Sequence, residues 1–559
     1  MPTINVLFND LELLIGQSLP RDREELTDLL AFVKGEVESL EGQELSIEIK
    51  DGNRPDLWCI EGIARAMRGA LGIENGLKVY PIEAASRVEI IVDPKLQHVR
   101  PYIASAVVRD VHLTDEAVRG FIHLQEKLDQ TYGRKRSRTS IGFYNFELIK
   151  LPLHYRVAKP EEISFTPLES ELEMNLREIL DSHPKGLEYG HIVKAFDEWP
   201  ILHDANGSVL SFPPIINSDD LGKITRDTTD ILVEVTGTDH QTVLNTLTLV
   251  ALSIADRGGM ILTTRIVYPY IGMEEEITPN LDTYDVQLDV KLVEDLLGLT
   301  LSQGDIVQLL RRARFGTHLP NGRSILVRVP CYRVDIMHPI DIVEDIGIMY
   351  GYNNIDPRWP QMDTFGEIDG SEIMANSVRE VMIGLGFQEV FTFSMTNLQN
   401  LFGKMNLDPE HVIKVVNPSS ERFTHLRSWL IPSLMEFLSK NTHISYPQRV
   451  FEIGECAVLE TTSQRGVREL KKVAGLSIHS KAAFSEIKAV LDTFLLNLGV
   501  TYGLGAVEHT SFIEGRAGKI FVERKECGVV GEFHPNVLEA WGLENPAIGF
   551  ELDLSTLFG

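Results

Sequence analysis

Hydrophobic patterns of helix period and of strand period alternate along all 559 residues of this sequence, with no internal repeat and no low-complexity linker. Such a chain must bury several cores, and the expected fold class is α+β and multidomain, with the domains packed together. The length corresponds to about three to five domains. The most apolar run, near Leu247–Ala255, is broken by Thr and Ser and closed by Asp256-Arg257, so it is too short to span a bilayer. The start, MPTINVLFNDLELLIG, lacks the basic and apolar regions of a signal peptide. Cys59, Cys331, Cys456 and Cys527 lie far apart without a CxxC pair, against a zinc site or a disulfide scaffold. These features predict a cytoplasmic protein with no membrane contact.

The 53 Lys+Arg against 81 Asp+Glu leave a formal charge of −28. That charge repels polyanions at long range and argues against a simple nucleic-acid coat. Local basic patches or a more basic partner subunit keep RNA binding open, and solubility alone is the other reading of the charge.

Four segments are expected. Residues 1–87 read as a small α/β module, with a helical pattern from Pro20 to Lys34 stopped by Gly35 as a C-cap, a strand over Glu44–Lys50, and a helix capped by Asp56. Residues 88–272 read as mixed α/β. Thr114-Asp115 opens a helix there, Asn206-Gly207 marks a hairpin, and ILVEVTGTD is a strand leading into a helix near His240. Residues 273–358 pair two short helices with a hairpin turning at Asn321-Gly322, a winged-helix-like arrangement. Its Arg311, Arg312, Arg314, Arg323, Arg328 and Arg333 form either a nucleic-acid face or a scattered solvated one. Residues 359–559 carry β-rich signals joined by short turns, which favours antiparallel pairing.

Two constellations could carry chemistry. In DIMHPIDIVEDIGIMYGY, Asp341, Glu344 and Asp345 fall on one helix face, with Asp335 just before the helix. Like charges at that spacing oppose the helix, so something cationic should compensate them. Oxygen ligands suit Mg2+; a solvated acidic face or salt bridges to a partner's Arg and Lys are the alternatives. The second set is Leu202, Ser211, Glu234, Thr236 and Asp239, near SFPPIIN and VTGTD. Glu234 and Thr236 share one strand face, where a carboxylate beside hydroxyls could accept a hydrogen bond and hold a water; an exposed structural strand is the alternative. His183-Pro184-Lys185-Gly186 reads as a turn, and no GxSxG, HExxH or Walker sequence supports a nucleophile or a P-loop.

In order, NRPDLWCIEGIARAMRG, GRKRSRTSIGFYN, SFPPIINS, VEVTGTD, PCYRVDIMHPIDIVEDIGIMYGYNNI and FTFSMTN resemble the β subunit of phenylalanine–tRNA ligase over essentially the whole chain. The resemblance is to the archaeal and eukaryotic type, because the sequence starts with the small module where the common bacterial form has an additional oligonucleotide-binding fold. It implies an α2β2 heterotetramer in which α activates phenylalanine with ATP and loads tRNA(Phe). The β subunit would bring an editing module at 88–272, the winged-helix-like module and a class II synthetase-like domain that has lost its catalytic residues. Leu552 stands where an ATP-gripping Arg would follow Glu551, and Cys456, Ala457 and Val458 stand where a second such Arg is expected.

The same resemblance implies a Mg2+ held by Asp335, Asp341, Glu344 and Asp345 near the contact with α. It also implies an editing pocket for mischarged Tyr-tRNA(Phe) built from Leu202, Ser211, Glu234 and Thr236, with Glu234 where archaeal relatives often carry Asp. An apolar pocket rejects an added hydroxyl only weakly, so a second, hydrolytic sieve is useful. The basic loop with Arg134, Lys135, Arg136 and Arg138 would hold the tRNA acceptor end. A free-standing mischarged-tRNA hydrolase and a non-catalytic RNA-binding scaffold are the alternatives.

Overall fold

Asp22 accepts hydrogen bonds from the amides of Glu24 and Glu25 and so starts the helix Arg23–Leu30 in the computed structural model, which describes residues 2–270, 272–319 and 322–558. That carboxylate satisfies the first free amides, and the helix therefore begins after Pro20 rather than at it. A 3-10 turn, Ala31–Val33, follows; Lys34 closes it in the left-handed region at φ 58°, so Gly35 opens the strand Gly35–Glu41 instead of capping the helix. This strand and Thr3–Leu7 flank Glu44–Ile49 in an antiparallel three-stranded sheet. Helix Ile60–Ala70 starts from Cys59, not from Asp56, whose carboxylate instead takes both arms of Arg54 at 2.8 Å. Gly62 is required here, because a Cβ would lie 1.7 Å from the Asp56 carbonyl oxygen.

Two units make up the chain, Met1–Trp359 and Pro360–Gly559. In the first, a ten-stranded mixed sheet dominates. Its path runs Ile216–Asn217, Val209–Phe212, Trp199–His203, Leu153–Ala158, Ile82–Val92, Met260–Tyr270, Tyr102–Arg109, Ile231–Gly237, Thr139–Asn145, and Met273–Thr278 pairs with Met260–Tyr270. Asp204 accepts from the amides of Asn206 and Ser208 and Gly207 takes φ 85°, which makes the expected hairpin.

Helices Asp115–Gln130 and His240–Ala255 cover one face of the sheet, where Phe121, Leu124, Leu128, Leu247 and Val250 share a core with Ala104, Ala106, Val233 and Val235. Ile103, Val107, Tyr144, Tyr155, Leu202 and Leu232 form a second core on the other face. Strand residues alternate between faces, so Glu234 and Thr236 lie on the side of Leu232. Every residue of Ile231–Gly237 is buried, which is why the strand reads as a nearly continuous apolar run with a carboxylate inside it.

Strands Tyr284–Asp289, Ser324–Val329 and Gly316–His318 form a further antiparallel sheet, beside helices Val290–Leu297, Gln303–Arg312 and Pro339–Tyr350. Of the expected Asn321-Gly322 turn, Asn321 lies outside the described residues. Of the six arginines of the candidate nucleic-acid face, Arg312, Arg314 and Arg333 turn inward, whereas Arg311, Arg323 and Arg328 are exposed. Arg312 donates to the carbonyls of Ala70 and Met349, Arg314 is buried against Glu74, Arg328 pairs with Asp285, and Arg333 is buried between carboxylates. Burial of a guanidinium demands such partners, and inward bracing uses up the charge that a nucleic-acid contact would need.

The second unit is built on a seven-stranded sheet in the order Gln388–Glu389, Gln448–Leu459, Val467–Ile478, Ala547–Asp553, Lys525–Phe533, Phe512–Val522, Tyr502–Gly505. All pairings are antiparallel except that of the two-residue edge strand. Helices Gly370–Gly384 and Phe484–Asn497 cover one face, and Ile431–Lys440 and Pro535–Trp541 the other. The whole is a mixed α/β multidomain architecture with several separate sheets.

Candidate functional site

The ten-stranded sheet curls until the two ends of its path meet. Tyr144 on the last strand brings its hydroxyl within 3.5 Å of Asn217 Oδ1 on the first. A cavity of about 200 Å3 opens between these ends. Ser211, Phe212 and Pro213-Pro214 line it from one side, Ser140, Ile141 and Phe143 from the other, and Glu234 is among the residues that bound it.

Glu234 is 2% exposed. Tyr144 donates to its Oε2 at 2.8 Å, while its Oε1 has no hydrogen-bond partner among the described residues; nor has Ser211 Oγ. Burial pushes the Glu234 carboxyl up to about 7, against the opposing pull of the Tyr144 bond, the Arg100 charge and Thr236. Asp129, buried nearby, is likewise pushed up to about 7 by burial, against Arg136 and Arg100. A carboxyl poised near neutrality in a cavity can accept a ligand hydroxyl or exchange a proton at working pH.

Of the four expected pocket residues, the structure places Ser211 and Glu234 on the cavity and the other two behind it. Leu202, opposite Ser211 in the strand register, is a fully buried member of the core. The Thr236 hydroxyl is held by Arg100 Nε at 2.9 Å and lies 3.2 Å from Ser140 Oγ. Asp239 caps the helix His240–Ala255 rather than facing the cavity. Sequence reasoning missed Tyr144 and Arg100. The signal for Tyr144 was the alternation in TSIGFYN; no local signal points to Arg100, a fully buried guanidinium that donates to Thr236 and Ser140.

The basic loop divides in the same way. Arg136 sits 3.0 Å from Asp129, donates to the carbonyls of Pro214 and Ile215, and stacks over Tyr189, so it clamps the cavity wall rather than reaching outward. Arg138 pairs with Asp239 at 3.1 Å, whereas Arg134 and Lys135 are exposed. Three consecutive residues, Arg134, Lys135 and Arg136, take φ values of 49° to 64°, and this tight left-handed run turns the first two outward and the third inward.

The four carboxylates expected to share Mg2+ do not converge. Arg333 holds Asp335 with both arms at 2.8 and 2.7 Å and reaches Asp345 at 2.6 Å, and Arg54 stands 3.9 and 4.0 Å from the same two residues. Burial alone would raise the Asp335 carboxyl, but the Arg333 bond and charge bring it below its usual value. Asp341 accepts the amides of Met337 and His338 at its own helix start, and Glu344 turns to Lys34 at 3.0 Å. Among the described residues no three His, Cys, Asp or Glu gather as a metal would need. With Asp335 and Asp345 held by guanidinium, Asp341 by backbone amides and Glu344 by Lys34, the four do not fit one divalent ion. The compensating cation that the sequence called for is Arg333.

In the second unit Glu551 Oε2 accepts the amides of Leu430 and Ile431 at 2.8 and 3.0 Å, and its Oε1 pairs with Lys472 at 2.9 Å. A carboxylate thus occupies the start of helix Ile431–Lys440, where free amides would otherwise attract an anion.

Residues 286–352 match the family model described as the tRNA synthetase B5 domain, and residues 355–554 match the one described as the phenylalanyl tRNA synthetase beta chain CLM domain. Together with the several sheets and the cavity, these matches define a chain of the aminoacyl-tRNA synthetase class. It is 42% identical over 563 residues to the phenylalanine–tRNA ligase beta subunit of Thermococcus sibiricus, covering 100% of this chain and 99% of that one. The corresponding subunit of Pyrococcus abyssi is 40% identical over 562 residues, with both chains covered in full. The crystal structure of an N-terminal fragment of the Pyrococcus horikoshii phenylalanyl-tRNA synthetase beta subunit superposes with a TM-score of 0.60 at 39% identity, covering 63% of this chain and 100% of that fragment. The chain belongs to the family of phenylalanine–tRNA ligase beta subunits, parts of the aminoacyl-tRNA ligases of protein biosynthesis. Among the described residues no helix is long and apolar enough to cross a membrane.

Proposed function

We propose that this chain works in the cytoplasm as the β subunit of an α2β2 phenylalanine–tRNA ligase. The α subunit forms Phe-tRNA(Phe) from ATP, phenylalanine and tRNA(Phe), and β hydrolyses Tyr-tRNA(Phe). The modules are then 1–87 (N-terminal), 88–272 (editing), 273–358 (winged-helix-like) and 359–559 (class II synthetase-like, without catalysis), with strands Ile82–Val92 and Met273–Thr278 carrying the editing sheet past both of its expected bounds. The observation that carries the editing reading is the buried Glu234, with one carboxylate oxygen engaged by Tyr144 and the other without a partner. A tyrosyl hydroxyl would satisfy that oxygen. A phenylalanyl ring would leave it unpaired, at a cost of roughly 1–3 kcal/mol.

In the hydrolysis, water adds to the ester carbonyl carbon, the bond to the ribose oxygen breaks, and that oxygen leaves with a proton. Ser211 Oγ, also without a partner, supplies a hydrogen-bonding group for the ester or the attacking water. Arg134 and Lys135, exposed beside the cavity's clamp, are the residues of the basic loop that remain for the tRNA backbone.

Absence of synthesis in β is supported by Leu552 in place of a guanidinium and by Glu551 at the helix start, where its charge opposes a phosphate. A protein partner is supported by Phe391 and Phe393 in the second unit, 91% and 70% exposed, an apolar surface that a lone subunit would not retain without use. The test is phenylalanine-dependent ATP–pyrophosphate exchange by this chain alone and with its α partner. Exchange in the pair and none in the chain alone is expected; exchange by the chain alone would refute the assignment of synthesis to α.

A further inference from the structure

Tyr144 is fully buried and donates to Glu234 Oε2 at 2.8 Å. Glu234 therefore already binds one phenol, supplied by its own chain. Room for that contact comes from Gly142, which faces Glu234 in the strand register: a Cβ there would lie 2.2 Å from the Tyr144 hydroxyl oxygen and 2.7 Å from Glu234 Oε2. The bond joins a neutral donor to a carboxylate shielded from water, the setting in which such bonds are short and strong.

We propose that Tyr144 is a positioning residue for the specificity of the cavity, fixing the orientation of Glu234 and leaving Oε1 as the acceptor for a second phenol, the side chain of tyrosine carried on tRNA. The inference rests on the editing reading of the cavity. Because Tyr144 occupies one oxygen, the carboxylate presents a single acceptor with a defined direction. A phenolic hydroxyl can meet it, whereas an unsubstituted ring cannot.

The Tyr144 bond also favours the charged carboxylate. The other groups acting on Glu234 are Arg100, which favours the charge, and Asp129, which opposes it. Tyr155 lies behind the site and feels the charge of Glu234 in turn. Arg136, Lys185 and Lys223 line the cavity as cations, and Glu126 and Glu169 as anions. Removing the Tyr144 hydroxyl leaves these charged groups in place but also frees Asn217 Oδ1, 3.5 Å away, and alters the setting of the neighbouring Ser211 hydroxyl, so the readout of the effect on Glu234 is the midpoint rather than the rate alone. A protonated Glu234 would hold its hydrogen on the free oxygen and lose its role as acceptor.

The experiment is single-turnover hydrolysis of Tyr-tRNA(Phe) by the α-containing complex from about pH 6 to about pH 8.5, with wild type, Tyr144→Phe, Gly142→Ala and Glu234→Gln. Wild type should rise with a midpoint near 7. Tyr144→Phe should move that midpoint up by about one unit, run several-fold slower at neutral pH and approach wild type at the alkaline end. Gly142→Ala, which pushes the pair apart, should shift the midpoint the same way. Glu234→Gln should be slow and flat across the range. A Tyr144→Phe profile with an unchanged midpoint, whether at full rate or uniformly reduced, overturns the inference while leaving the editing reading intact. Glu234→Gln hydrolysing like wild type overturns both.

Discussion

Two buried carboxylate sites in the first unit look alike in sequence and differ in what stands opposite the charge. At Asp335 and Asp345, Arg333 and Arg54 meet the carboxylates from both sides, and Asp335 is held below the usual carboxylate range. At Glu234 the nearest donor is a neutral phenol, one oxygen has no partner, and burial lifts the carboxyl to about 7. A compensated buried charge ties elements together. An uncompensated one is costly to the fold and is retained where a ligand supplies what is missing. The same residue type thus marks a structural tie in one region and, on the proposed function, a recognition site in the other.

The largest expected effect tests the tie. Arg333→Ala leaves two buried carboxylates facing each other and should destabilise the first unit by about 3–5 kcal/mol, read by chemical denaturation. A loss below about 1 kcal/mol would mean that the cluster opens to solvent or to an ion.

Next is Glu234→Gln, with the opposite sign. The folded-state value of Glu234 lies above the unfolded one, so its contribution to stability is full below the ordinary carboxylate range and is lost as pH rises through about 7. Relative to wild type, the variant should gain up to about 3 kcal/mol between acid and neutral pH. Equal stability curves from pH 5 to pH 8 would show that the Glu234 charge is compensated after all.

A smaller effect concerns the basic loop. Arg134→Ala with Lys135→Ala should flatten the salt dependence of tRNA binding by about one unit of logarithmic slope per lost phosphate contact. Arg138→Ala, whose partner is Asp239, should leave the slope unchanged. The smallest effects lie at the edge of the acidic cluster. Glu344→Gln, at a half-exposed pair with Lys34, should change stability by about 0–1 kcal/mol. Mg2+ should not raise the melting temperature of the isolated chain, and a rise abolished by Asp345→Asn would show that a cation displaces Arg333.

Much of this contrast was legible in the sequence, though not its direction. Glu234 stood out because it shares a strand face with Thr236 and through the family resemblance, though its burial did not, and the hairpin at Asn206-Gly207 and the helix at Thr114 follow from local chemistry. Tyr144 lies 90 residues from Glu234 and Arg100 lies 136 from Thr236. Both contacts exist because a long sheet curls back on itself, which no local pattern encodes. The arginines after residue 310 left a nucleic-acid face and a scattered solvated one both open because composition does not reveal which way a side chain points; Arg312, Arg314 and Arg333 point inward. The acidic helix face suggested a metal for the same reason, since the sequence showed the charges without their partner twelve residues away.

On the proposed function, the partnerless oxygen of Glu234 reads the hydroxyl that separates tyrosine from phenylalanine. The decisive quantity is the ratio of hydrolysis rates of Tyr-tRNA(Phe) and Phe-tRNA(Phe) in the assembled enzyme, for wild type and Glu234→Ala. Strong preference for the tyrosyl ester is expected in wild type, with a fall of about 10–100-fold in that ratio for the variant, as loss of one buried hydrogen bond to a charged group requires. A ratio that the substitution leaves unchanged would contradict this role of Glu234.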